Sequence, residues 1–88
     1  MLGTSNNFKP SYTKEDLQEL EEWFKAHPYH GEMEMSGGGI RMSDVGSSVE
    51  RLLEVAEVGG VENRTYAGTV NMLYAIRDQL LAQGKVKE

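Results

Sequence analysis

The chain of 88 residues contains no cysteine, few cations and no long apolar run. Without cysteine there is no disulfide, no thiolate nucleophile and no cysteine-based zinc site. No stretch of 18 apolar residues occurs, so the sequence predicts no transmembrane helix. No charged segment leads into an apolar one at the N-terminus, so no secretory signal is visible. These absences favour a cytoplasmic protein. Nine Lys and Arg stand against fourteen Asp and Glu, a net charge of −5. A nucleic acid or an anionic membrane is held mainly through Lys and Arg, so both are disfavoured as partners. At this length there is room for one small domain. Helix packing or oligomerisation must then supply the stability that disulfides or metals give other domains of this size.

What is present reads as an all-α, three-helix domain. Residues 1–12 are polar and aperiodic and are expected to be a flexible tail, although Phe8 and Tyr12 could dock on the body. The domain itself is expected over 13–84, with a C-terminal tail at 85–88. Thr13 is a good N-cap for a first helix over about 14–26, and Thr13 with Asp16 approximates a capping box. Leu17, Leu20 and Phe24 share a face, with Trp23 at its edge, and Pro28 ends the helix. A second helix over about 44–58, capped by Ser43, places Val45, Val49, Leu52, Leu53 and Ala56 on one face and stops at Gly59-Gly60. A third, over about 65–83, buries Val70, Leu73, Ile76 and Leu80, with Asn63 or Thr65 as its cap and Gly84 closing it. Tyr66 continues the buried stripe of the third helix, and Trp23 and Tyr66 are expected to be largely buried at the core margin. Gly46 and Gly68 fall inside helices, where a glycine costs about 1 kcal/mol relative to Ala, so both positions invite a check for close backbone approach.

Between the first two helices lies an extended Met- and Gly-rich excursion at 29–42. Glu32-Met33-Glu34-Met35 and Ile40-Arg41-Met42 alternate with period two, which fits a short β-hairpin turning at Gly37-Gly38-Gly39. Two strands alone are marginal, so the hairpin must lie on the helices. Methionine adapts to irregular surfaces. Met33, Met35 and Met42 therefore suit either a partner-binding lip or a flap over the gap that three short helices leave.

Candidate chemistry is thin. His27, His30, Glu32 and Glu34 are near one another, but their spacing matches no metal motif, and no metal or cofactor is expected. Gly38 and its neighbours could present backbone amides to a small anion, with Arg41, Arg64 and Arg77 as cations, yet the strand, helix and Lys of a phosphate loop are missing. No catalytic set assembles from the serines and two histidines, so no catalytic residue is assigned and no enzyme is expected. Gly68, Met72, Ala75, Gln79 and Ala82 form a low-relief seam opposite the apolar stripe of the third helix, which could admit a second copy and make a homodimer. Charge is uneven: residues 14–25 carry two positive and five negative groups, net −3, and residues 43–57 carry one and four, also net −3.

The pattern Leu17-x-x-Leu20-Glu21-Glu22-Trp23-Phe24, then Pro28, then Ile40-x-x-Ser43-Asp44-Val45, with Asn63-x-x-Tyr66 before the last helix, resembles a domain-of-unknown-function family of small helical proteins from Bacteroidetes and their mobile elements. The resemblance covers about Leu17 to Leu81 and implies a helical fold without an established activity. The expected function is a non-enzymatic protein-interaction module, acting on a protein partner or by self-association, in the setting of a mobile element. The alternative is a binder of a small, nucleotide-like anion at the Gly-rich loop and nearby arginines.

Overall fold

Thr13 sets the entry to the first helix. Its hydroxyl accepts from the Asp16 amide at 3.2 Å, and the Asp16 carboxylate accepts from the Thr13 amide at 2.8 Å, a reciprocal capping box. In the computed structural model, which describes residues 11–35 and 39–87, α1 spans Lys14–Ala26. A short antiparallel hairpin follows, β1 at Met33–Glu34 and β2 at Arg41–Met42, with Met33 opposite Met42 and Glu34 opposite Arg41. Then come α2 at Val45–Gly59 and α3 at Tyr66–Ala82. The three helices and the hairpin stand where the hydrophobic periodicity puts them. The tail at 1–10 and the loop glycine Gly38 lie outside the described residues.

The cap of α2 is Asp44 and not Ser43. The Asp44 carboxylate reaches both the Ser47 amide and the Ser47 hydroxyl, at 3.2 and 3.0 Å, and so satisfies a donor that Ser43, one residue earlier, is too far back to serve. At the start of α3, Thr65 occupies the cap position without a side-chain cap hydrogen bond. The Asn63 amide oxygen instead accepts from the Thr65 N–H and hydroxyl at 2.8 and 2.7 Å, bracing the turn just before the helix. Gly60 ends α2 at φ +79° and Gly84 follows α3 at φ +71°, conformations that favour glycine. At Gly84 the chain closes as a Schellman motif: the Gly84 amide donates to Leu81 O at 3.1 Å and the Lys85 amide to Leu80 O at 2.9 Å.

α2 packs on α3 more extensively than α1 packs on either. Val70, Leu73, Ile76 and Leu80 of α3 are fully buried among Leu17, Leu20 and Phe24 of α1 and Val45, Val49 and Ala56 of α2. Between Tyr66 and Leu81 only Gly68 is exposed, so α3 is central. Tyr66 is buried as expected, while Trp23, expected to be largely buried too, is only half-buried. Leu52 and Leu53, expected in the core, are only half-buried; Leu53 sits on the flank of the α2 stripe and lines the groove toward α1.

The ordered body extends past its expected limits at both ends. Tyr12, 5% exposed, stacks beside Tyr74 with ring centroids 5.5 Å apart, and its hydroxyl donates to Asn71. Tyr66 donates to the Thr13 carbonyl at 2.8 Å. Two tyrosines thus tie the start of α1 to α3. At the other end Val86 packs on the core.

The two helical glycines have opposite surroundings. A methyl at Gly68 would meet open space, whereas a methyl at Gly46 would come within 2.0 Å of His30 Nδ1. Gly68→Ala is therefore expected to raise stability by about 0.5–1 kcal/mol in urea unfolding. Gly46→Ala is expected to gain less, because His30 must be displaced; equal gains would contradict the close approach. Burial pushes the Tyr66 phenol above its ordinary value, with the charges of Asp16 and Glu15 adding to the effect. A raised folded value means that this stabilisation is intact below the unfolded value, about 10, and is lost as pH rises through the folded one. Tyr66→Phe is expected to lose stability less steeply than the parent between about pH 9 and 11, read by circular dichroism.

Candidate functional site

The residues singled out on chemical grounds scatter when the chain folds. The hairpin lies at the C-terminal end of α3: Gln83 Nε2 donates to the Glu34 carbonyl at 2.8 Å, and Lys85 Nζ sits 5.9 Å above the Tyr29 ring. Arg41 belongs to that end and is paired with Glu32, whose carboxyl it holds below the usual carboxylate range through a hydrogen bond and the guanidinium charge. Arg64 precedes α3 at the opposite end, one helix length of about 25 Å away for 17 residues. Arg77 lies over the Tyr74 ring at 4.8 Å, with Asp78 3.8 Å from its Nε. Arg41, Arg64 and Arg77 do not converge on one anion.

The methionines act as a flap. Met33 is only 2% exposed and belongs to the core, and Met35 and Met42 pack against it from the hairpin. Of the three, Met33 is withdrawn from solvent, while Met35 and Met42 are half-buried. The small-residue seam of α3 is interrupted. Gly68 and Ala82 are exposed, but Met72, Ala75 and Gln79 are half-buried, with Met72 packed on the core. Gln79 accepts from Gln83 at 2.9 Å, and so belongs to the contact that seats the hairpin.

His27, His30, Glu32 and Glu34 also have separate engagements. The His27 ring stacks on Trp23 with centroids 4.2 Å apart, and its Nδ1 lies 2.8 Å from the Trp23 carbonyl. His30 lies over Gly46, with Nδ1 3.4 Å from the Asp44 carboxylate. Among the described residues no group of three His, Asp or Glu is disposed to hold a metal ion.

Among the described residues a groove lies between α1 and α2. One section, of about 350 Å³, has a floor of Phe24, Val45, Val49, Leu53 and Leu80, and residues 27–30 line it where α1 hands over to the connector. A second section, of about 300 Å³, continues toward the start of α1 over Leu17, Ala56, Tyr66 and Val61. Glu21 and Glu57 border both sections. The groove lies where the facing flanks of α1 and α2 stay apart, and Leu53 on its floor is half-buried. Its two walls differ in charge. The α2 wall carries Glu50, Glu54 and Glu57, on one stripe at i, i+4 and i+7. The α1 wall carries Lys14, Gln18, Glu21 and Lys25, with Lys25 3.9 Å from Glu21. Glu50, Glu54 and Glu57 enter no ion pair among the described residues. The stripe is visible in the sequence, but which surface it borders depends on the spacing of α1 and α2.

At the end of the groove, hydrogen bonds from the Ser47 amide and hydroxyl hold the Asp44 carboxyl below its ordinary value, with His30 adding to the effect against a small opposing desolvation. A lowered folded value places this stabilisation above the unfolded value, about 4, and removes it as pH falls through the folded one. Asp44→Ala is expected to lower Tm at pH 7, with the gap from the parent narrowing below about pH 4 in thermal scans.

Residues 15–82 match the family described as a domain of unknown function, DUF6965, and the chain belongs to that family. No curated protein and no solved structure matches it. No helix among the described residues is long and apolar enough to cross a membrane.

Proposed function

For this member of a family without an assigned activity, we propose that the protein is a non-enzymatic interaction module that receives a segment of a protein partner in the groove between α1 and α2. The observation that carries this reading is the uncovered apolar floor. Leu53 and Val61 remain accessible along it, and Val61 is 46% exposed. A small domain without disulfides gains from burying such side chains, and a partner that covers them gains about 25 cal/mol per Å² of apolar surface removed from water. The reading is also favoured by what the other candidate surfaces do. The hairpin methionines cover the core, and the seam on α3 is broken by half-buried positions.

The test uses the full chain, tagged, in extracts of its native host. Leu53→Lys places a charge on the groove floor. Val58→Lys places one on α2 at a position 81% exposed and outside the groove lining. Proteins captured by the parent and by Val58→Lys are expected to be lost from Leu53→Lys, with both variants retaining a cooperative melting transition. Capture of the same proteins by all three would overturn the proposal.

A further inference from the structure

The walls of the groove specify the chemistry of its occupant further, an inference that rests on the groove being the docking surface. We infer that the occupant is an amphipathic helix with an apolar stripe, flanked on one side by Lys or Arg at i, i+4 and i+7. Two observations lead to it. First, both walls are helices, whose backbone N–H and C=O groups are bonded within the helix except at the ends. No sheet edge borders the groove, because the hairpin strands are not among its lining residues. An extended segment laid there would leave its own backbone groups without main-chain partners, and a helix satisfies them internally.

Second, the α2 wall is uniformly anionic. Glu50, Glu54 and Glu57 are like charges at helical neighbour spacing, which disfavours the isolated helix. Within the described residues none of the three enters an ion pair, and Arg51, three positions before Glu54, is the one cation of α2. A helix seated on Phe24, Val49 and Leu53 would bring its flank against this stripe, and cations at matching spacing would neutralise all three carboxylates. The α1 wall, with Lys14, Gln18, Glu21 and Lys25, sets no single sign. A second copy of this chain is a poor occupant. Its helices 14–25 and 43–57 each carry a net charge of −3, so its most amphipathic faces would meet the wall with like charge.

The test is fluorescence anisotropy with the full chain and labelled synthetic helices of about 16 residues, long enough to span the roughly 20 Å of α1. One probe carries a Leu stripe flanked by Lys at i, i+4 and i+7; a second has Glu at those three positions; a third has the Lys sequence scrambled. The Lys probe is expected to bind at least tenfold more tightly than the Glu probe, and the scrambled one to bind weakly. The Lys advantage should shrink between about 0.05 and 0.5 M salt. In a triple variant, Glu50→Gln with Glu54→Gln and Glu57→Gln, the advantage should disappear while Tm does not fall, a separation that a merely structural role for the three carboxylates would not give. Equal binding of the Lys and Glu probes would overturn this inference and leave the groove as a docking surface, which the capture experiment decides independently. Absence of binding by every probe would overturn it too. Dimerisation of the parent in sedimentation velocity, abolished by Leu53→Lys, would assign the groove to a second copy and overturn it as well.

Discussion

One helix serves as the wall for everything else. The α3 stripe of Val70, Leu73, Ile76 and Leu80 is almost wholly removed from water, and it is the surface on which α1, α2 and the hairpin meet. A chain of 88 residues without cysteine has few other ways to build a core. α2 packs most closely on α3, and the flanks that α1 and α2 turn toward each other stay partly open. The groove and the half-buried Leu53 lie along those flanks.

The core is built of aliphatic and aromatic side chains, and the hydroxyls of Tyr12 and Tyr66 within it are hydrogen-bonded. Apolar packing stabilises without strongly selecting one arrangement, since similar volumes can repack at small cost. Directional contacts lie instead at the margins, where elements distant in sequence cross. Tyr66 donates to Thr13 across 53 positions, Tyr12 to Asn71 across 59, and Gln83 to Glu34 across 49. Each fixes where one element sits along α3. The first two set the height of α1, and the third seats the hairpin, bringing Met33 into the core. Losing one of them would disturb register more than total burial.

Local signals in the sequence were strong where one residue's chemistry decides the outcome. The Thr13–Asp16 box, the Pro28 stop, the Gly84 closure and the alternation of Met33 and Met42 all depend on neighbours within a few positions, and all appear in the fold. The α2 cap slipped by one residue because Ser43 and Asp44 are both good caps, and only the path of the backbone decides which side chain reaches Ser47. Periodicity located the α2 apolar face but not its edges. Leu53 lies on the flank of that stripe, so its burial depends on how far α1 leans over, a tertiary quantity. The same limit applies to the arginines. Arg41 and Arg64 both look available as letters in a sequence, yet α3 holds them apart at its two ends.

The acidic stripe on α2 is harder to explain by stability than by recognition. A solvated helix is served best by alternating charges, with Glu and Lys four residues apart supporting each other. α1 follows that rule at Glu21 and Lys25. α2 departs from it: Glu50, Glu54 and Glu57 share one edge, and Arg51, three positions before Glu54, pairs with none of them and lies outside the groove lining. Such an arrangement works against the isolated helix and gains nothing from the core behind it. It becomes favourable when a cationic surface is laid alongside, because the attraction then falls on carboxylates with no internal partner to give up. Charge of one sign along one wall also orients what enters, since an amphipathic helix turned end for end presents its charged flank to the wrong wall. The groove floor would then supply affinity through burial, and the α2 edge would supply direction.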